Sequence, residues 1–128
     1  MKKTLAKSWV AALRSGKFKQ TKVALRNVRD KDNPGHCCLG VLLEICTRHK
    51  TLQEHHENME IALINGFLLC DNLLEVVGLS EEDQTFLSSH NDGHFNHATG
   101  KRVQKWSFNK IATWIEKKFV TLAKTKSK

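Results

Sequence analysis

Apolar positions recur along this chain at a helical period in some stretches and alternate or cluster in others, and the changes of pattern divide it into elements. Leu5, Trp9 and Leu13 fall at i, i+4 and i+8 and predict an amphipathic first helix, with Thr4 as its cap and Ser15-Gly16 as its end. Val23 to Val28 alternates as a short strand would, with Val23 and Leu25 on one side and Asn27 a third candidate for that side. A polar turn, Arg29 to Gly35, holds the only proline. His36-Cys37-Cys38 can return as a second short strand before Leu39 to Cys46, which is apolar on nearly every face. A helix that is hydrophobic all round has to be buried, so this stretch predicts the central helix of the fold.

Beyond it, Thr51 to Asn58 is polar and reads as irregular. Ile61 to Leu69, broken by Asn65-Gly66, carries the signature of a tight hairpin. Asp71 can cap a short helix through Leu73, Leu74 and Val77 that closes at Gly78. Ser80, followed by three acids, is a stronger helix start, with Phe86 and Leu87 as the apolar contact. His90 to Lys105 reads as a surface loop with turns at Asn91-Asp92-Gly93 and Thr99-Gly100. Ser107 caps a last helix whose face is Phe108, Ile111, Ala112, Ile115 and Phe119, broadened by Trp114. The expected fold is α+β, a mainly helical single domain over 1–122. One or two small β-hairpins pack beside the buried helix, and 123–128 form a basic mobile tail.

The length of 128 residues suits one domain with one core. An apolar share of 40% and a charged share of 27% suit a globular protein. No apolar run approaches the roughly 18 residues of a membrane span. Met1-Lys2-Lys3-Thr4 looks like the start of a leader, but Lys7 and Arg14 interrupt what would be its apolar part. The expectation is a cytoplasmic protein with no membrane partner.

The net charge of +8 is unevenly spread. Residues 1–24 carry seven bases and no acid, residues 37–100 two bases and ten acids, and residues 101–128 nine bases and one acid. Basic ends around an acidic middle point to a surface for an anionic partner, although solubility alone would also account for them. The residues expected to bind are Lys17, Lys19 and Lys22 of the connector after the first helix, with Lys101, Arg102, Lys105 and Trp106. Phosphate-neutralising charge beside Phe18 and Trp106 also fits direct nucleic-acid contact. Trp9 and Phe108 belong to core stripes instead.

Four cysteines among Leu, Val and Ile read as buried thiols rather than a disulfide framework. Cys37 or Cys38, at the start of the central helix and beside His36, could serve as a nucleophile only if its pKa were lowered. His90, His94 and His97, with Asp92 between them, have the residue types of a metal site. The Asn-Asp-Gly turn argues against the continuous helix that their spacing would need. No catalytic residue, metal or cofactor is assigned, and the Walker and dinucleotide-binding glycine patterns are absent.

Several of these segments, in order, resemble a family of small uncharacterised proteins of tailed bacteriophages and prophages. They are Trp9 to Gln20, Ala24-Leu25-Arg26, Cys37-Cys38-Leu39-Gly40-Val41-Leu42, Leu68-Leu69, Gly78-Leu79, Asn91-Asp92 and Ser107 to Glu116. The chain departs from that pattern at Cys70, where a proline is usual, and at Val76-Val77, where a Trp-Ala pair is usual. Its stretch from Asp92 to Phe108 is also longer and more basic. The resemblance implies an accessory binding protein that inhibits or redirects host machinery. The partner it implies is a host protein or a defence nucleoprotein complex, such as a CRISPR effector. Direct nucleic-acid binding in phage gene regulation is the alternative.

Overall fold

The structure, a computed structural model, describes residues 1–29 and 32–121. The expected tail, 123–128, lies outside the described residues. In chain order the elements are α1 (Lys3–Arg14), β1 (Lys19–Gln20), β2 (Arg26–Asn27), β3 (Gly35–His36), α2 (Cys38–Cys46) and a 3-10 helix (Lys50–His55). Then come α3 (His56–Asn65), α4 (Asp71–Val77), α5 (Glu81–Asp92), β4 (His94–Asn96), β5 (Lys101–Val103), α6 (Phe108–Ile115) and a π-helical turn (Glu116–Thr121). This is a small α+β domain, mainly helical.

The core is built around α2. Leu39, Val41, Leu42, Leu43 and Cys46 are all fully buried, as an all-round apolar helix requires. α1, α3 and α5 pack around α2, and α6 packs along α1. Trp9 of α1 is fully buried and satisfies its indole N–H on the Cys38 carbonyl at 2.9 Å. Gly40 matters for a steric reason: a Cβ there would overlap the Leu25 carbonyl, so Gly40 lets the β2 segment cross α2 closely. β3 is the middle of a three-stranded sheet, parallel to β1 and antiparallel to β2, while β4 and β5 form a separate antiparallel hairpin.

Several local expectations need correction. α1 begins at Lys3, and its N-cap is Lys2 rather than Thr4. Cys70, not Asp71, is the N-cap of α4. Thr51 to Asn58 is helical, not irregular. The Asn65-Gly66 hairpin does not form. Met59 and Leu63, four residues apart, both bury against the core, so α3 runs on to Asn65 and Gly66 ends it. The strand expected over Val23 to Val28 shrinks to Arg26–Asn27, because Val23 adopts φ +72° and turns away from the core. His90 to Lys105 is not a loop: α5 extends to Asp92, and the β4–β5 hairpin follows.

Ser80 and Ser107 do cap as expected, accepting the backbone N–H of Asp83 at 3.0 Å and of Lys110 at 3.3 Å. The stripe from Phe108 to Phe119 is buried, and Gly78 closes α4 in the left-handed region.

Candidate functional site

Where α5 ends, a buried asparagine joins three segments. Asn91 is fully buried, and its side chain uses each of its hydrogen-bonding positions. Its Oδ1 accepts the Cys38 backbone N–H at 3.0 Å and the Gln20 amide at 3.2 Å. Its Nδ2 donates to the Thr21 carbonyl and to Asp92 Oδ1, both at 2.9 Å. Gln20 also donates to the Trp106 carbonyl at 2.8 Å. The β1 segment, the start of α2 and the approach to α6 are thereby held to the end of α5.

Asp92 extends this frame outward. Its Oδ1 accepts the Val23 backbone N–H at 3.0 Å. Val23 is the centre of a tight three-residue turn, with the Ala24 N–H donating to the Lys22 carbonyl at 2.9 Å. A β-branched residue at φ +72° is strained, and Val23 is the only non-glycine residue at positive φ among those described. The hydrogen bond from the Val23 N–H to Asp92 holds the turn that carries Lys22.

Lys22 then lines a concavity of about 410 Å³ together with Asp92, His94, Phe95, Arg102 and Lys105. Bases from two segments distant in sequence meet at one place. The Phe95 ring stands at this wall, 40% exposed, with the Arg102 guanidinium 5.9 Å from its centroid and His97 edge-on at 4.8 Å. Asp92 brings one negative charge into the basic pocket, with one of its oxygens occupied by the two N–H donors.

The structure thus brings Lys22, Arg102 and Lys105 together. Lys17 and Lys19 are exposed on the turn after α1 and on β1, and Lys101 is exposed at the start of β5; these three are not part of the pocket lining. Trp106 is half-buried and belongs to an aromatic stack. It lies on His90 at 3.9 Å, meets Phe86 edge-on at 5.5 Å, and carries Lys110 above its ring at 4.9 Å. Phe18 likewise packs edge-on against His36 at 5.2 Å. The exposed aromatic at the basic surface is Phe95, which the linear pattern did not single out. Its signal was the placement of Phe95 between His94 and His97 and shortly before Lys101-Arg102, legible only once that stretch is known to be a hairpin.

Cys37, Cys38 and Cys46 are core residues, whereas Cys70, expected to be buried like them, is exposed at the start of α4. Burial pushes the Cys37 thiol up to about 11, against the opposing effect of backbone N–H groups at the start of α2. Burial raises Cys38 well above the usual range and Cys46 to about 12. Low-pKa thiolate chemistry is therefore disfavoured at all three. His36 does not pair with a thiol; its Nε2 meets Glu44 Oε2 at 2.7 Å. Glu44 in turn takes two bonds from Arg26, at 2.8 and 3.2 Å, and Arg26 reaches Glu60 at 2.8 Å. This chain of side-chain hydrogen bonds crosses from β3 to α2, β2 and α3 and braces the sheet on the helices.

Among the described residues, no three His, Cys, Asp or Glu side chains gather as a metal site would require. His90 donates to the Gln104 carbonyl at 2.9 Å, and His97 turns to Phe95. No helix among the described residues is long and apolar enough to cross a membrane.

Together these features define a small α+β domain with a hydrogen-bonded frame behind a basic, concave face. The chain belongs to the family described as Domain of unknown function (DUF8296), whose pattern matches residues 1–80. That match covers α1 to α4 and Lys22, whereas α5 and the hairpin bearing Arg102 and Lys105 lie beyond it. No curated protein and no solved structure matches the chain.

Proposed function

We propose that this protein is an accessory binding protein of the tailed-phage type, which inhibits or redirects host machinery in the bacterial cytoplasm through its basic face. A host protein or a defence nucleoprotein complex, such as a CRISPR effector, is the partner this reading names. The observation that carries it is the convergence of Lys22, Arg102 and Lys105 on one pocket, with the turn that bears Lys22 held by Asp92 and, through it, Asn91. Holding a strained turn to position one lysine is more than solubility requires. The burial of Cys37, Cys38 and Cys46 supports binding over thiol catalysis. The ordered resemblance to phage proteins supplies the biological setting.

The test reverses the charge of the hairpin. The triple variant K101E/R102E/K105E is compared with wild type for capture of partners from infected-host lysate, with and without nuclease. Loss of a nuclease-resistant protein partner, with unchanged circular dichroism, is the expected result. Undiminished capture by the folded variant removes the reading.

Direct nucleic-acid binding is the second reading, favoured by the exposed Phe95 ring beside Arg102. It predicts affinity for single-stranded DNA or RNA that falls steeply with salt as counterions are released. Capture that disappears after nuclease treatment would favour it over the first.

A further inference from the structure

α3 is apolar on two sides. Met59 and Leu63 face inward and are fully buried. Ile61 and Ile64 face away from them, and with Phe67 and Leu68 they make four large apolar side chains, each more than half exposed. Single apolar residues on a surface are ordinary, but a run of this kind marks a contact surface. Between this face and the start of α4 lies a groove of about 330 Å³. Ile61, Leu68 and the buried Leu73 form its apolar part, and the exposed Asn58, Asn65 and Asn72 line it with amide groups. It shares no residue with the basic pocket.

The charge around the groove selects the occupant. Glu57 lies one helical turn before Ile61, and Asp71 precedes Asn72; both are exposed. From Thr51 to Gly100 the sequence has nine acids and neither Lys nor Arg. A second copy docking through the same face would bring Glu57 and Asp71 of both copies into one interface, with no Lys or Arg between Thr51 and Gly100 to offset them. A partner with basic residues beside its apolar anchors meets complementary charge instead.

We propose that this groove receives an amphipathic helix of a partner protein, with aliphatic side chains entering between α3 and α4 and Lys or Arg beside them meeting Glu57 and Asp71. This is helix-in-groove recognition, with the asparagines available to the polar edge of the incoming helix. The surface stands apart from the basic face, so the protein has two differently charged contact surfaces.

The test uses two peptides of about 15 residues, near the length at which isolated helices begin to hold. One sets Leu and Lys in amphipathic spacing, and the other replaces every Lys by Glu. Each is titrated into the full chain at about 0.15 M salt, where long-range attraction is largely screened, and binding is read by fluorescence anisotropy. The Lys peptide is expected to bind at least roughly tenfold more tightly than the Glu peptide. The surface variant I61S/L68S, and wild type carrying a bulky maleimide on the exposed Cys70 that lines the groove, should each weaken the Lys peptide by at least roughly tenfold. Circular dichroism should stay unchanged, and K101E/R102E/K105E should bind the peptide like wild type. No binding, equal binding of the two peptides, or undiminished binding by folded I61S/L68S overturns the proposal. Self-association abolished by I61S/L68S would assign the groove to a second copy and overturn it as well.

Discussion

Asn91 Oδ1 accepts the backbone N–H of Cys38 at 3.0 Å, tying the end of α5 to the first residue of the buried helix α2. The same side chain holds Gln20, the Thr21 carbonyl and Asp92. A short polar residue in the interior thus sets the relation between the core and the surface turn that carries Lys22.

Asn91→Ala leaves the buried Cys38 N–H without its partner, and takes one partner each from the part-buried Thr21 carbonyl and Gln20 amide, the latter keeping the Trp106 carbonyl. Each such loss costs about 1–3 kcal/mol, and relaxation keeps the total below their sum. A destabilisation of roughly 3–4 kcal/mol is expected from urea unfolding. A change under about 1 kcal/mol would show that the frame bears little of the stability.

Val23→Gly removes a β-branched side chain from φ +72°. The relief of strain exceeds the added chain entropy of glycine, and a gain of about 1 kcal/mol is expected in chemical unfolding. Asp92→Ala acts at the same place in the opposite sense. It frees the Val23 amide, which should exchange with solvent faster than in wild type, while Asp92→Asn keeps an acceptor and much of the protection. Equal exchange in wild type and Asp92→Ala would show that this bond does not hold the turn.

Burial alone would raise the Glu44 pKa, but hydrogen bonds from His36 and Arg26 outweigh it and hold the carboxyl at about 2, against an ordinary value of 4.5. The unfolded chain therefore binds the proton more readily. The stabilisation is fully present above about pH 4.5 and is lost as the pH falls toward 2. Glu44→Gln should cost roughly 2–3 kcal/mol at neutral pH, after discounting for partial solvation. It should also flatten the loss of stability across that acid window. Urea midpoints of both proteins from neutral pH to pH 2 provide the check, and parallel pH curves would count against the assignment.

Thiol chemistry should divide the cysteines. Cys70 is exposed, whereas Cys37, Cys38 and Cys46 are buried with raised pKa values. Mass spectrometry after brief alkylation at neutral pH should find one fast site, at Cys70, and three more only in denaturant. Fast labelling of Cys37 or Cys38 in the folded protein would revive the nucleophile reading.

What the sequence determined by itself was the core. Leu39 to Cys46 has Glu44 as its single polar side chain and no continuous polar face on which to meet water, so its burial follows from composition alone. The i, i+4 stripes of Leu5, Trp9 and Leu13, and of Ile111, Ile115 and Phe119, dictate which side of each helix turns inward. The caps at Ser80 and Ser107 depend only on neighbouring residues, and they too were legible.

Only the tertiary structure decided the rest, because the deciding contacts join residues far apart in the chain. Asn65-Gly66 has the residues of a hairpin turn, yet the burial of Met59 and Leu63 keeps that segment helical. Asn91-Asp92-Gly93 reads as a turn, yet four hydrogen bonds to Asn91 make it the end of a helix and an anchor. Lys22 and Lys105 have no pattern linking them; a strained turn held by Asp92 carries Lys22 to the pocket that Lys105 lines from the segment after β5. Charge could be counted from the sequence, but where it gathers depends on backbone hydrogen bonds that local propensity does not encode.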